Sequence, residues 1–252
     1  MEGDIAAATA DPATHALELA HALAFRSGLG SSLFASSHSS LTAEDVKSFA
    51  KSAFTKGNIA VLGTGINPSL LSELVQKSLG AAATTEQPSS SATSYFGGET
   101  RIAGHGGPQT VFIGFGAPGA PSAELATLAA HLSPQASVKW SKGLSPIATS
   151  IPEGTSVQSV FLPYSDATLL GLLVQGPDTA SVKAAGKAAV KALKAATTSS
   201  GITTEELKKA VAKAKFNAAS AVDTRDGLVI TVGPKVRVLC FLFLYVLFIH
   251  LN

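Results

Sequence analysis

Residues 41–65 read LTAEDVKSFAKSAFTKGNIAVLGTG, and the fold class follows from how this stretch divides. Thr42 stands just ahead of Ala43-Glu44-Asp45, a cap-like start that sets acidic charge at the positive end of a helix. Val46, Phe49, Ala50, Ala53 and Phe54 then fall at i, i+3, i+4, i+7 and i+8, the spacing of an amphipathic helix. Ile59-Ala60-Val61-Leu62 follows as a short buried strand. Asn67-Pro68 opens another helix, with Leu70, Leu71, Leu74, Val75 and Leu79 turned inward and Gly80 closing it. The unit reads helix, strand, helix.

Upstream, Asp11 and Pro12 form an N-cap and first helical position, and the Ala/Leu-rich run behind them reaches Phe25 before Gly28 and Gly30 end it. Downstream, residues 81–94 (AAATTEQPSSSATS) are small and polar, with nothing large enough to anchor a core. They read as a linker. Beyond them come a β-rich run at 110–115, a helix at 122–131, a strand at 157–162 and an apolar run at 168–174 whose type the pattern leaves open. Two long helices follow, Thr179 to about Ala196 and Thr203 to about Ala221. The second opens on Ile202-Thr203-Thr204-Glu205-Glu206-Leu207-Lys208, which repeats Leu41-Thr42-Ala43-Glu44-Asp45-Val46-Lys47 after 161 residues. One copy lies on each side of the linker, as expected of two copies of one α+β unit.

Composition narrows the function. The 252 residues allow one large or two small domains. They are 46% hydrophobic and 14% charged, so the chain folds. A net charge of +2 lacks the basic footprint of nucleic-acid binding. A single cysteine, Cys240, excludes an internal disulfide framework and any multi-cysteine metal site. The start, Met1-Glu2-Gly3-Asp4, is acidic and no Arg appears before Arg26, so no targeting segment is readable. At the other end Val238–Ile249 runs twelve residues without a polar break. As a helix it reaches only about 18 Å, short of a hydrocarbon core of roughly 30 Å. An aberrant tail, a packed strand or helix, and a membrane contact all stay open for it.

The sequence resembles the pitrilysin and mitochondrial processing peptidase family, most of all its core-protein branch in the respiratory ubiquinol-cytochrome c reductase, complex III. The matching text is His21–Gly30 (HALAFRSGLG), Leu41–Phe49, Asn58–Gly65, Tyr95–Arg101 (YFGGETR), Val111–Phe115 and Val138–Ser141. Coverage is about residues 3–235. The resemblance implies an α+β fold of two homologous halves, each a mainly antiparallel sheet packed by helices in the manner of LuxS-like metallohydrolases. The divisions expected are 1–80 for what remains of an incomplete first half, 81–94 for the linker, 95–235 for an inactive second half, and 236–252 for an atypical hydrophobic tail. Both ends are expected to be lost, with the tail in place of the last helix and strands. The branch implies a non-catalytic structural subunit on the matrix side of the mitochondrial inner membrane. Its expected partners are core protein 1, cytochrome b and cytochrome c1, its membrane association is peripheral, and no cofactor is expected.

Catalytic relatives carry H-x-x-E-H, whose two histidines share one helix face and one zinc ion. The nearest text here is His15, Glu18 and His21. Six residues of separation turn the two imidazoles about 120° apart and about 9 Å along the axis, so they read as structural or exposed. The family motif is expected upstream of residue 1. Gly114-Phe-Gly116-Ala-Pro-Gly119 matches G-x-G-x-x-G after a strand and before a helix. Nothing acidic lies between Glu124 and Glu153, and Pro118 and Pro121 remove amide donors, so it reads as a turn leaving the strand. Neither G-x-S-x-G nor G-x-x-x-x-G-K-[ST] occurs. Lys183, Lys187, Lys191 and Lys194 form a basic stripe that suits an acidic partner or anionic head groups and reads first as a solvated face. His105, between glycines, reads as a loop residue. The glycine-rich substrate loop of peptidase-type partner subunits has only Gly143 in the residues after Ser133–Ser137, which favours the core-protein branch. No catalytic, cofactor or metal residue is assigned. The alternatives are a zinc metallopeptidase-family subunit acting in presequence processing, and a free truncated paralogue with no assembly partner.

Overall fold

The computed structural model describes residues 10–34, 40–55, 58–80, 92–103, 107–134, 145–198, 200–239 and 247–248. They pack as two units: 1–37 with 92–215, and 38–91 with 216–252. Most of the 81–94 linker, His105, Val138–Ser141, Gly143 and Cys240 lie outside the described residues.

The first unit is built on an antiparallel sheet in the order β2-β4-β3, with β2 at Gln109–Pro118, β3 at Ser156–Pro163 and β4 at Ala167–Gly176. Central β4 is the run of undecided type; it is a strand paired antiparallel with both neighbours, and it is buried on both faces. Leu170, Leu172 and Val174 point one way and Leu169, Leu173 and Gly171 the other, which erases any polar alternation. Register sets Val111, Val174 and Val157 side by side, then Ile113, Leu172 and Ser159.

On that face lie α4 (Ala123–Leu132) and α5 (Thr179–Ala196). Val182, Ala185 and Ala189 of α5 form a small-residue stripe that joins Leu132, Ile147, Val157, Leu172 and Val174 in the larger core. Ser159 donates to the Ala129 carbonyl at 3.1 Å, tying α4 to β3. Helix α6 (Thr204–Ala221) starts in this unit, and Lys213 donates to the carbonyl of Ser133 at 3.3 Å.

The opposite sheet face carries α1 (Pro12–Phe25), whose Ala24 and Phe25 pack with Ala167, Leu169, Phe112, Leu162 and Tyr164. The 1–80 division groups α1 with the elements up to residue 80. In the structure it packs in the unit of the 109–176 sheet, because its apolar end fits under that sheet. Asp11 caps it by accepting from the Thr14 amide at 3.0 Å. It ends at Arg26, a non-glycine residue at φ +60 whose guanidinium stacks 4.3 Å over the Phe96 ring. The Phe96 amide donates to Ala24 at 2.9 Å, so Tyr95–Gly98 docks on the helix end.

The second unit holds α2 (Ala43–Ala53), β1 (Leu62–Gly63), α3 (Pro68–Leu79), the end of α6, α7 (Arg225–Leu239) and β5 (Leu247–Phe248). The strand expected at 59–62 is confined to β1, which pairs parallel with β5. The cap-like start of helix α2 is a full capping box: Thr42 Oγ1 accepts from the Asp45 amide at 3.3 Å while the Asp45 carboxylate accepts from the Thr42 amide at 2.8 Å. Its repeat heads α6 in the same way, with Glu206 accepting from the Thr203 amide at 2.8 Å. The amphipathic face of α2 is not covered, however. Val46 is 60% and Phe49 71% exposed. Leu70 and Leu74 of α3, expected inward, are exposed as well, and Gly80 is in ordinary right-handed geometry rather than a left-handed cap. Amphipathic spacing marks a face able to be buried, and among the described residues no packed layer of this unit meets it.

Helix α7 escaped the sequence pattern because Gly227, Gly233 and Pro234 are poor helix residues. It takes in residues 236–239 of the tail, residues 247–248 form β5, and the rest of 236–252 lies outside the described residues. No described helix is long and apolar enough to cross a membrane.

Candidate functional site

Histidines and carboxylates are the first place to look for chemistry. Glu18 accepts from the Ser32 hydroxyl and, at 3.1 Å, from the Leu33 amide, so it anchors the turn after α1. His21 is engaged at both ring nitrogens: Nδ1 lies 2.7 Å from the Leu17 carbonyl and Nε2 2.6 Å from the Tyr164 hydroxyl. A carbonyl only accepts, so Nδ1 carries the proton and, in the neutral ring, Nε2 accepts from the tyrosine. Burial pushes the Tyr164 hydroxyl above its ordinary value, which keeps that proton in place. Phe25 stacks edge-on to Tyr164, with ring centroids 6.4 Å apart. His21 is therefore a structural strut between helix and sheet. Among the described residues no three histidine, cysteine or carboxylate side chains cluster as metal ligands.

The glycine motif is corrected in detail. Gly114 and Gly116 do not form a turn, since β2 runs straight through both; only Gly119, at φ +100, turns the chain. The reason is aromatic. The Phe112 ring covers Gly114 and its cross-strand neighbour Gly171, and the Tyr95 ring lies on Gly116, where a Cβ would collide with it. The glycines are seats for rings rather than a cradle for phosphate. The following helix, α4, is capped by Ser122.

Lys183, Lys187, Lys191 and Lys194 are exposed and make no ion pair among the described residues. Three of them, with Ile113, Gly186 and Val190, line an open hollow of about 430 Å³ where α5 overlies β2. Beside it, Val111 and Phe115 are 43% and 44% exposed on the same sheet face as Ile113. The stripe is visible in the sequence and the hollow is not, because β2 and α5 are more than sixty residues apart. The one available signal was the alternation of Val111, Ile113 and Phe115. The described residues thus offer surfaces for contact and no assembled catalytic constellation.

Residues 40–214 match the family described as the peptidase M16 inactive domain. The chain belongs to the peptidase M16 family. Within it, the chain is 38% identical over 246 residues to a protein of Cryptococcus neoformans named cytochrome b-c1 complex subunit 2, mitochondrial, covering 94% of this chain and 56% of the relative. Proteins with the same name from Yarrowia lipolytica and Neurospora crassa are 36% and 38% identical over 93% and 89% of this chain. The chain spans about half the length of these relatives, 51–56%. Among solved structures, a chain of complex III2 from Candida albicans with Inz-5 bound superposes with a TM-score of 0.76 at 18% identity, over 96% of this chain and 60% of that one. A Helicobacter pylori protease superposes with a TM-score of 0.58 at 16% identity, over 79% and 49%. The M16 fold is thus shared by a respiratory-complex chain and a protease.

Proposed function

We propose that this M16 chain is a non-catalytic structural subunit of mitochondrial complex III, acting as core protein 2. It stabilises the assembly from the matrix side of the inner membrane by contact with core protein 1, cytochrome b and cytochrome c1. The observation that carries the reading is the 36–38% identity, over most of this chain, to several proteins named subunit 2 of the cytochrome b-c1 complex. Two features of the chain agree with it. The matched domain is the inactive one of its family. The exposed Val46, Phe49, Leu70 and Leu74 provide apolar faces of the kind that large obligate interfaces bury.

The division into copies belongs to the same proposal: 1–80 and 95–235 derive from one α+β unit, joined through 81–94 and followed by the tail at 236–252. Its support is the Thr–acid capping box that heads both α2 and α6. The test is purification of a tagged full-length form from mitochondria. Cytochrome b and the partner core protein are expected to accompany it in fixed proportion, and their absence refutes the assignment.

A further inference from the structure

The hollow between α5 and the edge of the sheet has the shape and charge of a helix seat. Its lining is apolar at Ile113 of β2 and at Gly186 and Val190 on the flank of α5, and the exposed Val111 and Phe115 continue the same apolar face beside it along β2. The three β2 residues share one face and extend about 13 Å, roughly the length of two to three helical turns. Gly186 adds no side chain to that wall, and the Ile113 side chain lies 3.8 Å from where its Cβ would stand, an ordinary van der Waals separation.

The rim carries charge of one sign. Lys187, Lys191 and Lys194 stand at i, i+4 and i+7, rising about 10 Å along α5, all exposed and none ion-paired among the described residues. A helix lying on β2 parallel or antiparallel to α5, about 8–10 Å from its axis, would set its own i, i+4, i+7 flank against that row. Carboxylates on that flank complement it; lysines repel it. The strand β2 is the edge of the described sheet, so no neighbouring strand limits the space.

We propose that this channel seats an acidic amphipathic helix of a partner chain, leucine-like residues on Val111, Ile113 and Phe115 and glutamates against Lys187, Lys191 and Lys194. The proposal concerns a surface of this chain and stands or falls separately from membership of complex III. The full chain is titrated with a fluorescein-labelled synthetic helix bearing leucines on one face and glutamates on both flanks, and with a twin whose glutamates are lysines. The glutamate peptide is expected to bind at least about tenfold more tightly at low salt, with the advantage shrinking as salt rises. Lys187→Glu with Lys191→Glu and Lys194→Glu, all exposed, is expected to invert the preference; Val111→Ser with Phe115→Ser is expected to weaken both peptides. Equal binding of the twins, or a preference that survives the charge reversal, overturns the proposal. So does tighter binding of phosphatidylglycerol vesicles that the same reversal abolishes, which assigns the channel to lipid.

Discussion

The Nε2 atom of His21 and the hydroxyl of Tyr164 are 2.6 Å apart although 143 residues separate them in sequence. That bond joins α1 to the loop between β3 and β4, and it occupies the nitrogen that a metal ion would need. Tyr164→Phe removes the donor while keeping the ring against Phe25, and should lower stability by about 1 kcal/mol, read from the midpoint of urea unfolding. Added zinc or a chelator should leave the melting temperature of the unmodified chain unchanged.

The Phe112 ring occupies the space where Gly171 would carry a side chain. Gly171→Ala must displace either the ring or β4, at a cost of roughly 1–3 kcal/mol. Pairing it with Phe112→Leu should recover part of the loss, and a double-mutant cycle on thermal unfolding measures that coupling.

Leu172 is 2% exposed at the centre of the larger core, between β4 and α5. Leu172→Ala should cost about 2–5 kcal/mol. Four residues earlier in the same strand, Thr168 is buried with its hydroxyl unpartnered among the described residues. Thr168→Val keeps the shape and removes an unsatisfied group, so a gain of about 1 kcal/mol is expected from the same unfolding measurement.

Asp166 accepts from the Thr93 amide at 2.9 Å, and the Thr93 hydrogen bonding holds its carboxyl below the usual aspartate value of 3.8. The sign follows from which state binds the proton more weakly. The folded carboxyl group is the stronger acid, so its contribution is complete above the ordinary value and is lost as pH falls through the lower folded one. Asp166→Asn should therefore be less stable than the parent at neutral pH, and the gap should close in strong acid. Unfolding midpoints across an acid pH series check it.

Local signals were legible and long-range ones were not. The starts read at Asp11, Thr42, Asn67 and Thr203 all head helices, because a cap is a contact among residues two or three apart. The 168–174 run did not declare itself, because a strand buried on both faces has no alternation to read. The glycines at 114 and 116 fitted a nucleotide pattern, and what sets them apart is two aromatic rings, one from Phe112 and one from Tyr95 outside the strand. In the candidate site the lysine stripe was visible by itself, whereas the Ile113 floor it borders came from a strand far away in sequence.

By itself the sequence determined the capped helices, the α+β class and the M16 resemblance, all of which rest on spacing and order along the chain. Tertiary structure alone decided that α1 backs the sheet, that His21 is spoken for by Tyr164, and that α2 keeps its apolar face in solvent. The physical reason is that burial is a property of pairs of surfaces: a helix can advertise an apolar stripe from its own residues, but only the packing of distant segments settles whether anything covers it.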